Sequence, residues 1–159
     1  DAGPLTGSGA GKDATAMFRS RPELAELNRY ARDTMSGHLG IEFTELGSDY
    51  LRGRMPVDER TRQPFGLLHG GASVALAETV GSVGAMLAAG PGRAAVGVDI
   101  NATHHRSARS GLVTGVATPL HVGRTMSAVD IVISDEAGKR VCTSRITCAI
   151  LDRDPMAKA

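Results

Sequence analysis

The sequence predicts an α+β domain, one long apolar helix set against a mostly antiparallel sheet of about six strands. Three observations point there. Gly71–Ala89 is built mainly from Ala, Gly, Val, Ser and Leu, and Gly90-Pro91 stops it. Most of the chain from Ile41 onward outside that stretch alternates apolar and polar residues, the period of a strand. Turn signals such as Gly47-Ser48-Asp49 and Asp135-Glu136-Ala137-Gly138 separate neighbouring runs closely enough for hairpins.

The elements follow in chain order. Ser20 and Glu23 have the spacing of a capping box, and Pro22 suits a first helical turn. Leu24, Leu27, Ala31 and Met35 recur at helical spacing, so one peripheral helix is expected from Ser20 to a stop at Gly37. Ile41–Phe43 opens a strand. Leu51, Gly53, Met55 and Val57 share one face of the next, with Arg52 and Arg54 on the other, and the two read as a hairpin. Asp58–Gly66 reads as a loop. Gly71–Ala89 then carries almost no charge, so it should be buried on most sides. Gly81 and Gly84 each cost that helix about 1 kcal/mol relative to Ala, which close packing or ligand access would justify.

Four strands complete the sheet. In Ala95–His105, Val96, Val98, Ile100 and Ala102 are expected on one face, with Asp99, Asn101 and Thr103 on the other. In the next strand Leu112, Thr114, Val116, Thr118, Leu120 and Val122 share a face. Thr125–Ser134 and Lys139–Leu151 are the last two. Cys142 and Cys148 share a face of the final strand about 20 Å apart, too far for a disulfide, and read as small buried hydrophobes.

A length of 159 residues suits one domain, expected over 20–151, with flexible tails at 1–19 and 152–159. Lys plus Arg at 18 against Asp plus Glu at 17 argues against a dedicated nucleic-acid binder. The opening DAGPLTGSGAGKDAT lacks the basic and apolar regions of a signal peptide. Ala72–Ala89 is interrupted by Glu78 and reads poorly as a membrane span. A cytoplasmic location is the resulting expectation.

Glu78 is the lone charged residue of the long helix. Its neighbours at helical spacing, Val74, Ala75, Gly81 and Ser82, offer no countercharge. It is either a carboxylate that reaches solvent or a partner elsewhere, or a catalytic acid, base or nucleophile at a pocket wall. Ahead of it stands Gln63-Pro64-Phe65-Gly66-Leu67-Leu68-His69-Gly70-Gly71. A glycine pair entering a helix offers unpaired N–H groups to an anion, the requirement of an oxyanion hole. Gln63 and His69 add polar groups, although His69 also reads as a helix cap and Gln63 as a solvated loop residue. His104-His105-Arg106-Ser107 with Arg109 forms one basic turn and His121-Val122-Gly123-Arg124 another, suited to an anionic ligand such as a nucleotide-bearing thioester. His104, His105, His121 and Asp99 are metal-ligand types, but they lack a metal-binding spacing. There is no GxSxG elbow and no P-loop.

The blocks Met55-Pro56-Val57-Asp58, Gln63 through Ser73, Ala77-Glu78-Thr79-Val80-Gly81-Ser82, Asn101 through Arg106 and Leu120 through Arg124 together resemble the hotdog-fold acyl-CoA thioesterases. The similarity is nearest to the bacterial branch of dihydroxynaphthoyl-CoA and enterobactin-proofreading thioesterases, and it spans about Leu39 to Leu151. The resemblance implies a hotdog fold, in which a curved antiparallel sheet wraps the helix. It implies a homodimer with sites shared across the interface, commonly paired into a homotetramer. Glu78 of one subunit would face Gln63, His69 and Gly70 of the other, as nucleophile or general base, with the Gly70 N–H polarising the carbonyl. Ser82 would lie by the acyl group, and Val83 and Met86 near it. His104, His105, Arg106, Ser107 and Arg109 would meet the pocket and the CoA. No metal or cofactor is implied beyond the coenzyme A of the substrate, and an aromatic acyl group is favoured. A carrier-protein thioesterase and a non-catalytic acyl-CoA binder are the competing readings. The turn Ser107-Ala108-Arg109-Ser110-Gly111 departs from these relatives by adding positive charge.

Overall fold

Small side chains along one apolar helix let a sheet close over it, and the computed structural model, which describes residues 17–153, has that form. The elements run α1 (Leu24–Ala31), α2 (Met35–His38), β1 (Glu42–Leu46), β2 (Leu51–Pro56), α3 (Gly70–Ala89), β3 (Ala94–His104), β4 (Leu112–Val122), β5 (Met126–Ser134) and β6 (Arg140–Leu151). The six strands form one antiparallel sheet in the order β1-β2-β4-β5-β6-β3. α3 packs against β2 through β6. The expected α+β hotdog architecture is the observed one.

α3 buries Leu76, Ala77, Val80, Ala85 and Leu87 against Met55, Val113, Ile131, Ile133 and Ile146. Gly81 lets the sheet approach closely, because a Cβ there would sit 2.7 Å from Ile146 Cγ2. Gly90 ends the helix at φ 101°, a conformation that favours glycine. Length and composition alone would let α3 span a membrane, but here it is the core helix under the sheet.

The sheet's two edges differ. At the β1 edge, Asn28 of α1 accepts from the Phe43 N–H at 2.8 Å and donates to its carbonyl at 2.9 Å, so a side chain occupies that backbone. At the other edge, β3 pairs only with β6, and Val96 and Val98 stay 48% and 65% exposed.

Three expectations need correction. The single helix from Ser20 to Gly37 is two helices. The Ser20 N–H donates to the Leu87 carbonyl, Glu23 takes the N-cap position without a side-chain bond, and the Thr34 hydroxyl takes the Ala31 carbonyl at 2.6 Å, ending α1. Gly37 is not the stop but lies inside α2, where a Cβ would run into the Arg32 carbonyl. Second, β3 does not alternate cleanly. Its register against β6 slips between Gly97 and Asp99, so Val98 is an extra, bulged residue. Gly97 therefore faces the helix, while Ile100 and Ala102 pack against the core and Val96 does not. Third, the β4 set does not stay on one face: Leu112, Thr114, Val116 and Thr118 share the outer face, opposite buried Val113, Gly115, Ala117 and Pro119, but the register slips between Pro119 and His121 and Val122 packs against the core.

Cys142 and Cys148 are both buried and free, as expected. Residues 1–16 of the expected N-terminal tail and residues 154–159 of the C-terminal tail lie outside the described residues. Within residues 17–20, Phe18 is 3% exposed and the Arg19 N–H donates to Leu87. Asp152 pairs with Arg93 at 2.9 Å.

Candidate active site

The start of α3 is held by its own loop. His69 is the N-cap, and its Nδ1 accepts from the Gly71 N–H at 2.8 Å. The His69 carbonyl takes the N–H groups of Ala72 and Ser73. Ser73 makes the first regular helical bond, and of the orphan donors His69, Gly70, Gly71 and Ala72 the Gly70 N–H alone has no partner among the described residues. Because Nδ1 accepts, a neutral His69 ring carries its proton on Nε2. The His69 N–H in turn donates to Thr61, a buried residue whose hydroxyl donates to the Pro56 carbonyl. Gln63 closes the preceding turn: its Oε1 accepts from Phe65 N–H at 2.6 Å and Leu67 N–H at 3.3 Å. Its NH2 is left as the free end, a pure donor.

A cleft of about 370 Å³ opens at this helix end. Gln63, Gly70, His104, His105, Arg106 and Ser107 meet there, above Leu67, Leu68, Ser73 and Val141. His104 lies against Gly70, where a Cβ would come within 2.9 Å of its Nε2. His105 Nε2 hydrogen-bonds the Thr143 hydroxyl at 2.8 Å. Arg106 and Ser107 are exposed at the mouth. Arg109 is exposed and does not line the cleft.

Glu78 is not in this cleft. Eight residues of helix put it about 12 Å along the axis from Gly70. Its half-buried carboxylate lies over Gly97 of β3 and has no hydrogen bond or ion pair among the described residues. Burial therefore raises its pKa above the ordinary carboxylate value. The neighbouring Cys148 thiol is pushed up to about 11, first by burial and then by the Glu78 charge. Ser82 spends its hydroxyl proton on the Glu78 carbonyl at 2.7 Å, not on the carboxylate. Val83 and Met86 are half-buried against the core, outside the cleft.

The two basic turns do not meet within one chain. His104 pairs with Cys142 and Gly97 with Cys148, positions about 20 Å apart along β6. The turn at 121–124 belongs to the Gly97 end, since Val122 pairs with Ser127 and Ser127 with Cys148. His104 and His121 thus lie at opposite ends, and no group of three metal-ligand residues forms among the described residues.

Comparison with known proteins gives the family. Residues 65–142 match the family model described as the thioesterase superfamily. The chain is 53% identical over 135 residues to the proofreading thioesterase EntH of Cronobacter turicensis, covering 85% of this chain and 98% of that one. The chain belongs to the hotdog-fold thioesterase superfamily. It is 45% identical to thioesterase HI1161 from Haemophilus influenzae, whose crystal structure superposes with a TM-score of 0.84 over 86% of this chain and 95% of that one. A glutamine-to-alanine variant of thioesterase PA1618 from Pseudomonas aeruginosa gives 43% identity and a TM-score of 0.82, covering 85% of this chain and 98% of that one. The activity that membership brings is hydrolysis of an acyl-CoA thioester.

The candidate cleft is also lined by residues that the sequence did not single out for a role. Leu67, Leu68, Ser73 and Val141 line the cleft, and Thr143 holds His105. Leu67, Leu68 and Ser73 lay inside the family-like block and were legible there. Thr143 becomes visible only once the register of β3 against β6 is known.

Proposed function

We propose that this thioesterase hydrolyses an aromatic acyl-CoA to the free acid and CoA, at sites that each draw on two copies of the chain. The observation that carries the reading is a separation: the unpaired Glu78 carboxylate lies over the Gly97 end of β3, while the free Gly70 N–H lies at the His104 end. β3 is also the open edge of the sheet. Two β3 strands pairing antiparallel about a two-fold axis would join the sheets and carry the Glu78 end of one copy to the Gly70 end of the other.

In that arrangement the Gly70 N–H, at the positive end of α3, polarises the thioester carbonyl, with the Gln63 NH2 as a second donor. His69, protonated on Nε2, orients the carbonyl or the attacking water. Glu78 either attacks the carbonyl carbon, giving an anhydride that water opens, or takes a proton from water that attacks. In both routes the C–S bond breaks, CoA leaves as a thiolate that is then protonated, and water supplies the new oxygen of the products. Arg106, Ser107 and Arg109 meet the CoA phosphates, His104 and His105 form the pocket wall, and Ser82, Val83 and Met86 face the acyl group. The aromatic acyl preference rests on the sequence resemblance. Half-exposed Leu120 and Met126 on the outer sheet face support pairing of dimers into a tetramer. The reaction belongs in the cytoplasm, with its acyl-CoA substrate.

The test is a hydrolysis panel of aryl-CoA, alkyl-CoA and acyl carrier protein thioesters, run with the native protein and Glu78→Ala. The expected result is aryl-CoA turnover that falls by about a thousandfold in the variant, with the dimer intact by light scattering. Undiminished turnover, a monomeric native protein or preference for the carrier protein would overturn the reading.

A further inference from the structure

Gly97 sits in the interior of β3, where a glycine gives up side-chain packing and conformational order. Its backbone does not demand one, because Gly97 is absent from the positive-φ glycines. The demand comes from above. A methyl at Gly97 would overlap Oε1 of Glu78 and come within 3.2 Å of its Cδ and 3.4 Å of Oε2; no other neighbour lies as close. The neighbouring residue, Val98, is the bulged one, and the slip between Gly97 and Asp99 is what turns Gly97 toward the helix. Missing side chain and bulge together make a recess opposite one helical carboxylate, beside the open sheet edge.

We infer that Gly97, set by the Val98 bulge, is a positioning residue: it is the seat that holds the Glu78 carboxylate low against β3, at the sheet edge. A side chain at 97 would push the carboxylate off the strand while leaving the fold able to adjust, since the atoms that yield are the far end of a flexible side chain. This inference rests on the proposed role of Glu78, and it assigns a second residue to the geometry of that group.

The test is a double-mutant cycle of Gly97→Ala and Glu78→Ala, read first in thermal stability. With Glu78→Ala the methyl has room, and Gly97→Ala should raise Tm by restoring order to the strand. With Glu78 present, displacing the carboxylate should reduce or reverse that gain. Additive Tm changes would overturn the seat, whatever the activity shows. The second reading is kinetic: Gly97→Ala should lower kcat more than tenfold with KM within about twofold, with secondary structure and dimer retained. A shortened acid clears the methyl, so Glu78→Asp should cost a smaller factor in kcat in the Gly97→Ala background than in the native one. Native kcat in Gly97→Ala, beside an inactive Glu78→Ala, would sink this inference and leave the proposed function standing. An active Glu78→Ala would sink the proposed function, and the Tm cycle would still decide the seat.

Discussion

Alanine at Gly84 and at Gly81, neighbouring positions on α3, should move stability in opposite directions. Each glycine sits in a helix interior, so each replacement gains about 1 kcal/mol of propensity. At Gly84 the new methyl would lie 3.8 Å from the Ala117 Cβ, an ordinary contact. The gain should survive, raising Tm by about 3 °C for a domain of this size. At Gly81 the methyl would lie 2.7 Å from Ile146 Cγ2 and 3.0 Å from Ile131 Cδ1, both in the fully buried core. Overpacking of that kind costs about 1–3 kcal/mol, so the propensity gain is outweighed and a net loss of about 1 kcal/mol is expected. The assay is urea unfolding followed by circular dichroism at one fixed protein concentration, because association feeds into apparent stability. Equal gains in both variants would refute the claim that α3 is pressed against β5 and β6 at Gly81.

Three further outcomes are expected. Glu78 must be ionised to act, and burial raises its pKa above 4.5, so the acid limb of kcat/KM should lie above the range of an ordinary carboxylate. Folding favours its neutral form, so its contribution to stability is full below the unfolded pKa and is lost as pH rises through the folded one; Glu78→Gln should match or exceed native stability at neutral pH, with the difference vanishing in acid. A limb at ordinary carboxylate pH, or a variant less stable at neutral pH, would contradict this. Phe18→Ala should destabilise by about 3 kcal/mol in urea unfolding, since Phe18 belongs to the buried core although the sequence assigns it to a tail.

What the residues disclosed follows from how local each signal is. The span of α3 was legible to within one residue, because its composition, Gly90 and Pro91 all act within the helix itself. The β1–β2 hairpin and the inward pair Cys142 and Cys148 were legible from a period of two. The break after Ala31 was not, since it depends on the Thr34 hydroxyl capturing one carbonyl. Nor was the bulge at Val98: alternation shows that a strand exists, and only pairing with β6 shows which residue is extra. At the site, the HGG entry to α3 and the His104–Ser107 turn carried their own signal, and the structure brings them into one cleft. Glu78 was conspicuous as a lone charge, and under the proposed function the group it acts with lies on a second copy of the chain, which no spacing within one sequence could reveal.

Mixing two disabled variants tests that last point most directly. Glu78→Ala and Gln63→Ala should each be nearly inactive alone, the latter by about a hundredfold from loss of one carbonyl donor. After subunit exchange, half the dimers are mixed, and each mixed dimer holds one site with both its carboxylate and its amide intact. Recovery to about a quarter of native turnover is the expected result. A mixture as inactive as its components would show that each chain works alone, and would contradict the account.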